Sequence, residues 1–471
     1  MSARPSEIDH TARTITGVPE GLDALVLAQL VAEAASDKAP GALLHVARDD
    51  RRLEQLEQAL SFFAPNVRVI TFPAWDTVPY DRVGPGSDIV ARRIAALAKL
   101  ALTTRKHPTI VLTTVNAVVQ RIPSPSFIKR AIKAMAPGQR IDMARLTQSL
   151  ALMGYTRSGT VMEQGEYAVR GGILDFYPPG RSSPVRLDFF GDTLETIKAF
   201  DVTTQRTTKP VQKLALMPIS EVAFGAEAEK LFRTRYVELF GGNTGDDPLY
   251  EAVSSGHRYP GQEHWLPLFH DQLATLFDYL PGVPVSFDHR SDESANSRFE
   301  QIAEHYAART EALEEHRFGG PPYKPVPPER MFLDAKSFAA AQADRPTFRL
   351  TPFEEGEGPN IRSWRGRGGR TFAAERQQGD VNVFDAVVGH IRRLQGEPRR
   401  VIVTAWTPGA RERLATLLSD HGLMDVTRVE SYAEALALPA HATAIGVLGI
   451  EQGFETPEIA VIGEQDILGD R

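Results

Sequence analysis

The stretch from Ala42 to Phe72, ALLHVARDDRRLEQLEQALSFFAPNVRVITF, contains the repeating unit that decides the fold. Residues 42–46 form a short apolar run that predicts a buried strand, and residues 67–72 predict another. Between them, apolar residues recur at helical spacing: Leu53, Leu56, Leu60 and Phe63. Strands that alternate with helices favour a parallel α/β sheet, in which functional loops lie at the carboxyl ends of the strands.

The same alternation extends in both directions along the chain. Residues 90–101 carry another apolar helical stripe, and residues 109–113 predict a third strand. Mixed α/β patterning resumes after about Leu214. Near the C-terminus it predicts strands at 401–403, 444–448 and 459–462, with a helix over 411–420 that Gly422 closes.

A β-rich section interrupts this pattern between Tyr155 and Phe200. Its clearest segment, residues 185–190 (VRLDFF), alternates strictly between apolar and polar or exposed positions. Alternation places one set of side chains toward a core: Val185, Leu187 and Phe189. It places the other set on the opposite face: Arg186, Asp188 and Phe190.

Length, composition and charge limit the possible functions. The 471 residues correspond to about three domains of ordinary size. The net charge of -7 argues against non-specific nucleic-acid binding, and the absence of cysteine excludes disulfides, a thiol nucleophile and Cys-ligated metals. Residues 1–16 are polar and lack the apolar core of a secretory signal, and no apolar stretch approaches the ~20 residues of a membrane span. We therefore expect a cytoplasmic protein with no membrane partner.

Nucleotide chemistry is not evident in the sequence, although the fold suggests it. The nearest candidate for a phosphate loop is Gly17-Val18-Pro19-Glu20-Gly21-Leu22-Asp23, before a predicted helix. Leu22 and Asp23 stand where a functional loop has its lysine and hydroxyl residue, and a carboxylate there would repel phosphate. We predict that this segment binds no nucleotide and carries no catalytic residues.

The sequence also indicates neither the paired carboxylates of an ATPase nor a metal site. Residues 285–289 (VSFDH) end a strand with one acid and then a histidine, where ATPases have paired carboxylates. His257, His264 and His270 are the closest histidine cluster, but their spacing matches no standard metal motif. We interpret them as ordinary core or surface residues and predict no metal site.

A run of arginine and glycine between 362 and 370 admits two interpretations. Arg362, Arg365, Arg367 and Arg370 among glycines could form an arm that binds nucleic acid, or a solvated linker. The run is short and has only Trp364 as a stacking aromatic, which favours the linker.

Several motifs together resemble one family. They are Phe72-Pro73-Ala74-Trp75-Asp76 with Pro79-Tyr80-Asp81-Arg82, the stretch 165–175 (GEYAVRGGILD), the stretch 186–192 (RLDFFGD), Phe200-Asp201 with Gln205-Arg206, Leu266-Pro267-Leu268-Phe269, Gly453-Phe454, Pro457 and Glu464. Their order is similar to that of the N-terminal half of the bacterial transcription-repair coupling factors, over nearly the whole chain.

The resemblance implies an α/β architecture. A degenerate RecA/helicase-like parallel-sheet domain, similar to the first motor domain of the excision-repair protein UvrB, would be interrupted by a β-rich α+β insert that binds UvrA. A second small α/β domain would follow. The implied segments are 1–128 and 214–335 for the UvrB-like domain, 129–213 for the insert, 336–372 for a linker and 373–466 for the last domain.

The same resemblance implies a non-catalytic scaffold. It would recruit UvrA to stalled RNA polymerase in nucleotide excision repair and help autoinhibit a DNA translocase. In the family, an RNA-polymerase-binding module and an ATP- and Mg-dependent motor on double-stranded DNA follow, and we expect them downstream of Arg471. No cofactor is expected in this segment.

Residues that contact UvrA in the family have counterparts here. Arg170 and Arg186 match its two arginines, and Phe190 matches the neighbouring aromatic residue. Asp188 stands where UvrB has a glutamate. Ala168 replaces a further UvrB arginine, so the pattern is incomplete. Arginine and large aromatic residues are also the side chains that most often anchor protein interfaces.

Two other functions stay open at this point. The chain could be a direct nucleic-acid-binding module of a UvrB/helicase-like repair protein, supported by the arginine run and opposed by the net charge. It could also be an active ATPase, which the degenerate loop opposes.

Overall fold

The N-terminal part alternates strands and helices as predicted. The computed structural model describes residues 13–36, 39–102, 106–245, 247–314, 322–356, 358–377, 382–397 and 399–469. The expectations for residues 1–12 and for the last two residues therefore lie outside the described chain. The first elements are β1 (Arg13–Thr16), α1 (Asp23–Glu33), β2 (Ala42–Ala47), α2 (Asp50–Phe63), β3 (Arg68–Phe72), α3 (Ser87–Leu102), β4 (Thr109–Thr114), α4 (Val115–Val118), β5 (Ile122–Pro123) and α5 (Pro125–Ala131).

The insert follows as a β-rich unit. Its elements are β6 (Lys133–Met135), α6 (Met143–Leu152), β7 (Thr156–Arg157), β8 (Glu166–Arg170), β9 (Ile173–Phe176), β10 (Val185–Phe190), β11 (Thr193–Phe200), β12 (Thr207–Pro210) and β13 (Leu214–Leu216). Six of these strands form a sheet in the order β12-β11-β10-β9-β8-β7, antiparallel except for the β7–β8 pair. Leu146 and Leu150 of α6 pack on one face of this sheet, so the insert has its own core.

The chain then returns to α/β structure. The elements are α7 (Ala226–Phe240), α8 (Pro248–Ser254), a 3₁₀ helix (Gln262–Leu268), β14 (Leu273–Ala274), α9 (Leu276–Tyr279), β15 (Val285–Phe287), α10 (Ser291–Glu314), α11 (Pro328–Met331), α12 (Ala335–Ala343), β16 (Thr347–Leu350) and β17 (Ile361–Ser363).

A seven-stranded parallel sheet joins the parts before and after the insert. Its order is β17-β1-β16-β15-β2-β4-β3, and every neighbouring pair is parallel. The predicted α/β class with an inserted β-rich unit is thus confirmed. The segment 336–372 differs from the expected linker, because it supplies most of α12 and two strands of this sheet. Those strands, TFRL and IRS, are short and half-buried, so they carry too little alternation to be read from sequence.

The C-terminal part is a second α/β unit. Its elements are β18 (Arg367–Gly368), α13 (Ala373–Gln377), α14 (Val383–Gln395), β19 (Arg400–Ala405), α15 (Pro408–Asp420), β20 (Val426–Arg428), α16 (Tyr432–Ala437), β21 (Thr443–Val447), β22 (Phe454–Glu455), β23 (Ile459–Gly463) and α17 (Glu464–Leu468). The sheet order is β18-β22-β23-β19-β21-β20, with β23, β19, β21 and β20 parallel. Gly422 follows α15 with a φ of +87°, as its predicted position after the helix requires. Within the described ranges, no helix combines the length and apolar character needed to cross a bilayer.

Candidate interaction face and the glycine loop

The insert sheet presents the predicted residues on the face opposite its core. Cross-strand register aligns Arg170, Ile173, Asp188 and Thr196 in one row. The adjacent row consists of Ala168, Asp175, Arg186 and Lys198. Alternation along β10 adds Phe190 to the side that carries Arg186 and Asp188. All four predicted site residues thus lie on one surface of the sheet, which we call the outer face.

The predicted alternation along β10 is confirmed for most positions. Val185 and Leu187 are fully buried, while Arg186 and Asp188 are half-buried on the opposite side. Phe189 is partly buried against the insert core. A shift in the β10–β11 register lies between Asp188 and Phe189, just before the exposed end of the strand.

Arg186 is held by a residue that sequence reasoning missed. Its Nε and Nη2 donate to the two carboxylate oxygens of Asp175 at 2.8 and 2.9 Å. The guanidinium also lies 5.0 Å from the ring centroid of Phe200, and its Nη1 donates to the Gln205 carbonyl at 3.4 Å. The hydrogen bonds to Asp175 raise the pKa of Arg186 above its usual value. Arg186 is therefore a partly covered cation with a fixed orientation.

Asp188 also has partners within the chain. Its Oδ2 accepts a hydrogen bond from the Thr196 hydroxyl at 2.7 Å and lies 3.6 Å from the Lys198 ammonium. Thr196 and Lys198 lie on the neighbouring strand β11. The pairing of β10 with β11 brings them to Asp188, and residues 185–190 alone do not predict that pairing. Thr196 and Lys198 thus compensate the charge of Asp188 within the outer face.

Arg170 and Phe190 are the most accessible members of the set. Arg170 is exposed, and its Nη2 donates to the Gly159 carbonyl at 2.7 Å and the Thr160 hydroxyl at 3.1 Å. The Phe190 ring is 77% exposed. The Phe190 ring therefore does not pack at a sheet edge within its own domain, and it is available for a partner, as aromatic residues at protein interfaces are.

The glycine loop follows β1 and leads into α1, where a phosphate loop would lie. Gly17 and Gly21 adopt positive φ angles of 64° and 96°. The carboxylate of Asp23 accepts hydrogen bonds from the Gly21 and Ala24 amides at 3.2 and 2.9 Å. The amides that a phosphate would use at a helix N-terminus therefore already bind a carboxylate of the same chain.

Arg52 of α2 joins this loop to the end of β15. Its guanidinium forms an ion pair with Asp23 and lies 3.5 Å from Asp288, which follows β15. All three side chains are at most 6% exposed. Burial alone would lower the pKa of Arg52, but Asp23 and Asp288 outweigh it and raise the value. Burial raises the pKa of Asp23.

A cavity of about 430 Å³ lies beside this network. Glu20 and Asp23 of the loop line it, together with Glu451 from the C-terminal part. Arg52 also lines the cavity, but its guanidinium is paired with Asp23 and lies 3.4 Å from Glu20. The cation that a phosphate would need there is therefore already bound to acids of the same chain.

The histidine cluster has structural partners. His264 Nε2 lies 3.1 Å from the Val83 carbonyl, and His270 Nε2 lies 2.7 Å from the Glu221 carbonyl. Burial lowers the pKa of each to about 4. Across the ranges that the structure describes, no group of three or more potential ligands is placed to hold a metal ion.

The arginine run is largely paired with acids. Arg362 binds Glu33 at 2.9 Å, Arg367 binds Glu455 at 2.7 Å, and Arg370 binds Glu375. Three of its four guanidinium groups thus serve contacts within the chain, which weakens the interpretation as a nucleic-acid arm.

The family model described as UvrB interaction domain matches residues 134–222, and the one described as MFD, D3 domain matches residues 394–467. The transcription-repair-coupling factor of Haemophilus influenzae is 29% identical over 98% of this chain and 38% of its own length.

Two further relatives carry the same name. That of Rickettsia bellii is 27% identical over 91% of this chain and 36% of its own length. That of Escherichia coli is 34% identical over 65% of this chain and 26% of its own length. The chain thus spans less than half the length of these relatives. The two domain matches and the extent of these similarities show that most of the chain is similar to part of the transcription-repair-coupling factors.

Proposed function

We propose that this chain is a non-catalytic interaction module that binds UvrA through the outer face of the insert sheet. The observation that carries the proposal is the exposed Phe190 ring, 77% accessible, on the same face as Arg170 and within the match to the UvrB interaction domain. Aromatic residues and arginine are both enriched at protein interfaces.

The two accessible residues have different roles in this proposal. Phe190 would insert into an apolar pocket of UvrA, and Arg170 would pair with a carboxylate at the rim. Arg186 would contact UvrA only through part of its guanidinium, because Nε and Nη2 already donate hydrogen bonds to Asp175. The short hydrogen bonds of Arg170 to Gly159 and Thr160 limit its motion before binding, which lowers the entropy lost on association.

The role of the intact protein is also a proposal. In a longer chain of this family, such a module would bring UvrA to RNA polymerase stalled on double-stranded DNA. An ATP-dependent translocase in the same protein would act on the DNA, and the module would help restrain it until polymerase is bound. Masking of the outer face in the resting protein would be consistent with its exposed aromatic ring.

A calorimetric titration of the chain with UvrA, without ATP, tests the binding site. We expect Phe190→Ala and Arg170→Ala each to weaken the interaction. Met424→Ala is the matched control, because Met424 is an apolar residue that is 85% exposed in the C-terminal part. Undiminished affinity in both outer-face variants would overturn the site, and absence of binding by the unmodified chain would overturn the function.

A further inference from the structure

The C-terminal sheet has two apolar faces, and only one of them is covered mainly by its own helices. Alternate residues of its central strands point to opposite sides, such as Val401 and Val403 against Ile402 in β19. The first side packs against α14, α15 and α17 through Val387, Ile391, Leu414, Leu418 and Ile467. This side forms the domain's own core.

The second side is covered largely by the N-terminal part of the chain. Ile402, Ala444, Ile459 and Val461 belong to one buried cluster with residues of α1 and α2, including Leu27, Leu56 and Leu60. Outside its strands, the C-terminal domain adds Ala435 of the short helix α16 and Leu448 and Ile450 of the loop after β21 to this cluster. Parallel sheets occur almost only with both faces covered, so this one is complete only with α1 and α2 in place.

Aromatic side chains pack closely between α2 and the C-terminal domain. The Phe63 ring of α2 lies 5.3 Å from the ring of Tyr432 and 6.2 Å from that of Phe454, measured between centroids. A Cβ atom at Gly446 of β21 would lie 2.8 Å from Cε2 of Phe62, so a larger residue there would have to displace the buried Phe62 ring. Buried side chains of the two parts thus belong to one continuous apolar cluster.

The same interface, between the C-terminal domain and the first domain, extends to the glycine loop. Glu451, in the loop after β21, binds Arg51 and accepts a hydrogen bond from Gln55 Nε2 at 2.7 Å. Phe454 packs against Gly21 so closely that a Cβ there would lie 3.2 Å from Cδ1 of the ring. The C-terminal domain thus covers the edge of the large sheet where a nucleotide would enter.

From these contacts we infer a role for the C-terminal α/β domain: it is a fixed lid on the glycine-loop edge of the first domain, and the two unfold as one cooperative unit. The insert, which has its own core, lies outside this unit. The inference does not depend on UvrA binding, since none of the outer-face residues contributes to it.

Hydrogen exchange of the full chain, followed by mass spectrometry, tests the coupling. Ile391→Val removes one methyl group from the side of the C-terminal sheet that faces away from the first domain. We expect protection to fall about fivefold in β19, β21 and β23, and by the same factor in α1 and α2. A fall confined to the C-terminal domain would overturn the inference.

A matched variant in the insert provides the control. Ile197→Val makes the same change in the insert core and is expected to leave protection of α1 and α2 unchanged. If Ile197→Val lowered the protection of α1 and α2 as much as that of the insert, the entire chain would unfold as one cooperative unit. That result would overturn a coupling specific to the first domain and the C-terminal domain.

A second pair of variants tests the contact itself. Gly446→Ala inserts a methyl group against Phe62, and we expect it to lower protection of α2 and β21 together. Gly389→Ala of α14 is the control for an added methyl group, because a Cβ there has no heavy atom within 4 Å. Alanine favours a helix more than glycine does, so protection should rise rather than fall in this variant. Unchanged protection of α2 in Gly446→Ala, with β21 destabilised, would contradict a rigid lid.

Discussion

Arg186 and Asp175 form a bidentate ion pair across β9 and β10, with N–O distances of 2.8 and 2.9 Å. The Asp175 side chain is 3% exposed, and that of Arg186 is 19% exposed. Removing one partner of a buried pair leaves a charge without compensation, which costs more than the pair itself contributes. Arg186 thus holds the outer face together as well as forming part of it.

Arg186→Ala is therefore expected to lower the free energy of unfolding by about 3 kcal/mol, because Asp175 is left buried and unpaired. Arg170→Ala is the comparison, since Arg170 is exposed, and its loss should change stability by less than about 0.5 kcal/mol. Urea unfolding followed by circular dichroism measures both. Equal stability of the two variants would contradict a structural role for Arg186. Because Arg186→Ala is expected to destabilise the protein, any loss of UvrA binding in this variant has to be compared with its loss of stability.

Phe190→Ala is expected to separate binding from stability. Truncating a true anchor costs about 2 kcal/mol, which corresponds to roughly 30-fold weaker binding of UvrA. Because the ring is 77% exposed, the midpoint of urea unfolding should stay within experimental error of the unmodified chain. Phe190→Leu keeps an apolar side chain and should recover part of the affinity. Equal affinities of the Ala and Leu variants would argue against an apolar pocket for this ring.

Buried histidines should make the protein less stable in mild acid. Burial lowers the pKa of His45 to about 3, and that of His264, His270 and His390 to about 4. The unfolded chain binds these protons near pH 6.5, so stability is complete above that pH and decreases as the pH falls toward 4. Asp23 acts in the opposite direction, because its raised pKa favours proton uptake in the folded state.

Urea unfolding at several pH values between 7.5 and 4.5 measures this slope. In His45→Asn the hydrogen bond that His45 Nδ1 makes with Ser286 at 2.9 Å can be retained, while the titrating ring is lost. We expect a shallower dependence on pH in this variant. His257→Asn is the control for an exposed position, and an unchanged slope in His45→Asn would refute the assignment.

The sequence predicted the sheet class, the insert and the alternation of β10, because each rests on a local pattern several residues long. It did not predict that Asp175 binds Arg186, since these residues are 11 positions apart and meet through strand register. Nor did it reveal that β16 and β17 complete the large sheet, because short, half-polar strands carry little periodicity. The lid contact between Phe63 and Phe454 joins distant parts of the chain, and no local signal encodes it.

The pairing of the arginine run predicts weak binding to DNA. With Arg362, Arg367 and Arg370 bound to acids, this run offers few phosphate contacts, and the net charge of -7 gives no general attraction to DNA, so the affinity for a labelled duplex should be low. It should also change little between 50 and 200 mM salt. Fluorescence anisotropy at the two salt concentrations measures this. A tight complex that weakens by about 10³-fold would instead indicate a site with at least six phosphate contacts.

Finally, the glycine loop predicts that the chain neither binds nor hydrolyses ATP. Asp23 takes the Gly21 and Ala24 amides, and Glu20 and Glu451 add carboxylates to the adjoining cavity. A ligand at 100 times its dissociation constant stabilises a protein by about 2.7 kcal/mol, so even modest binding would raise the unfolding temperature. We expect no shift with millimolar ATP and magnesium, and no phosphate release with or without duplex DNA. A thermal shift that increased in Asp23→Asn, which removes the repelling charge, would place a nucleotide at this loop. DNA-stimulated hydrolysis would show that the closed loop can open.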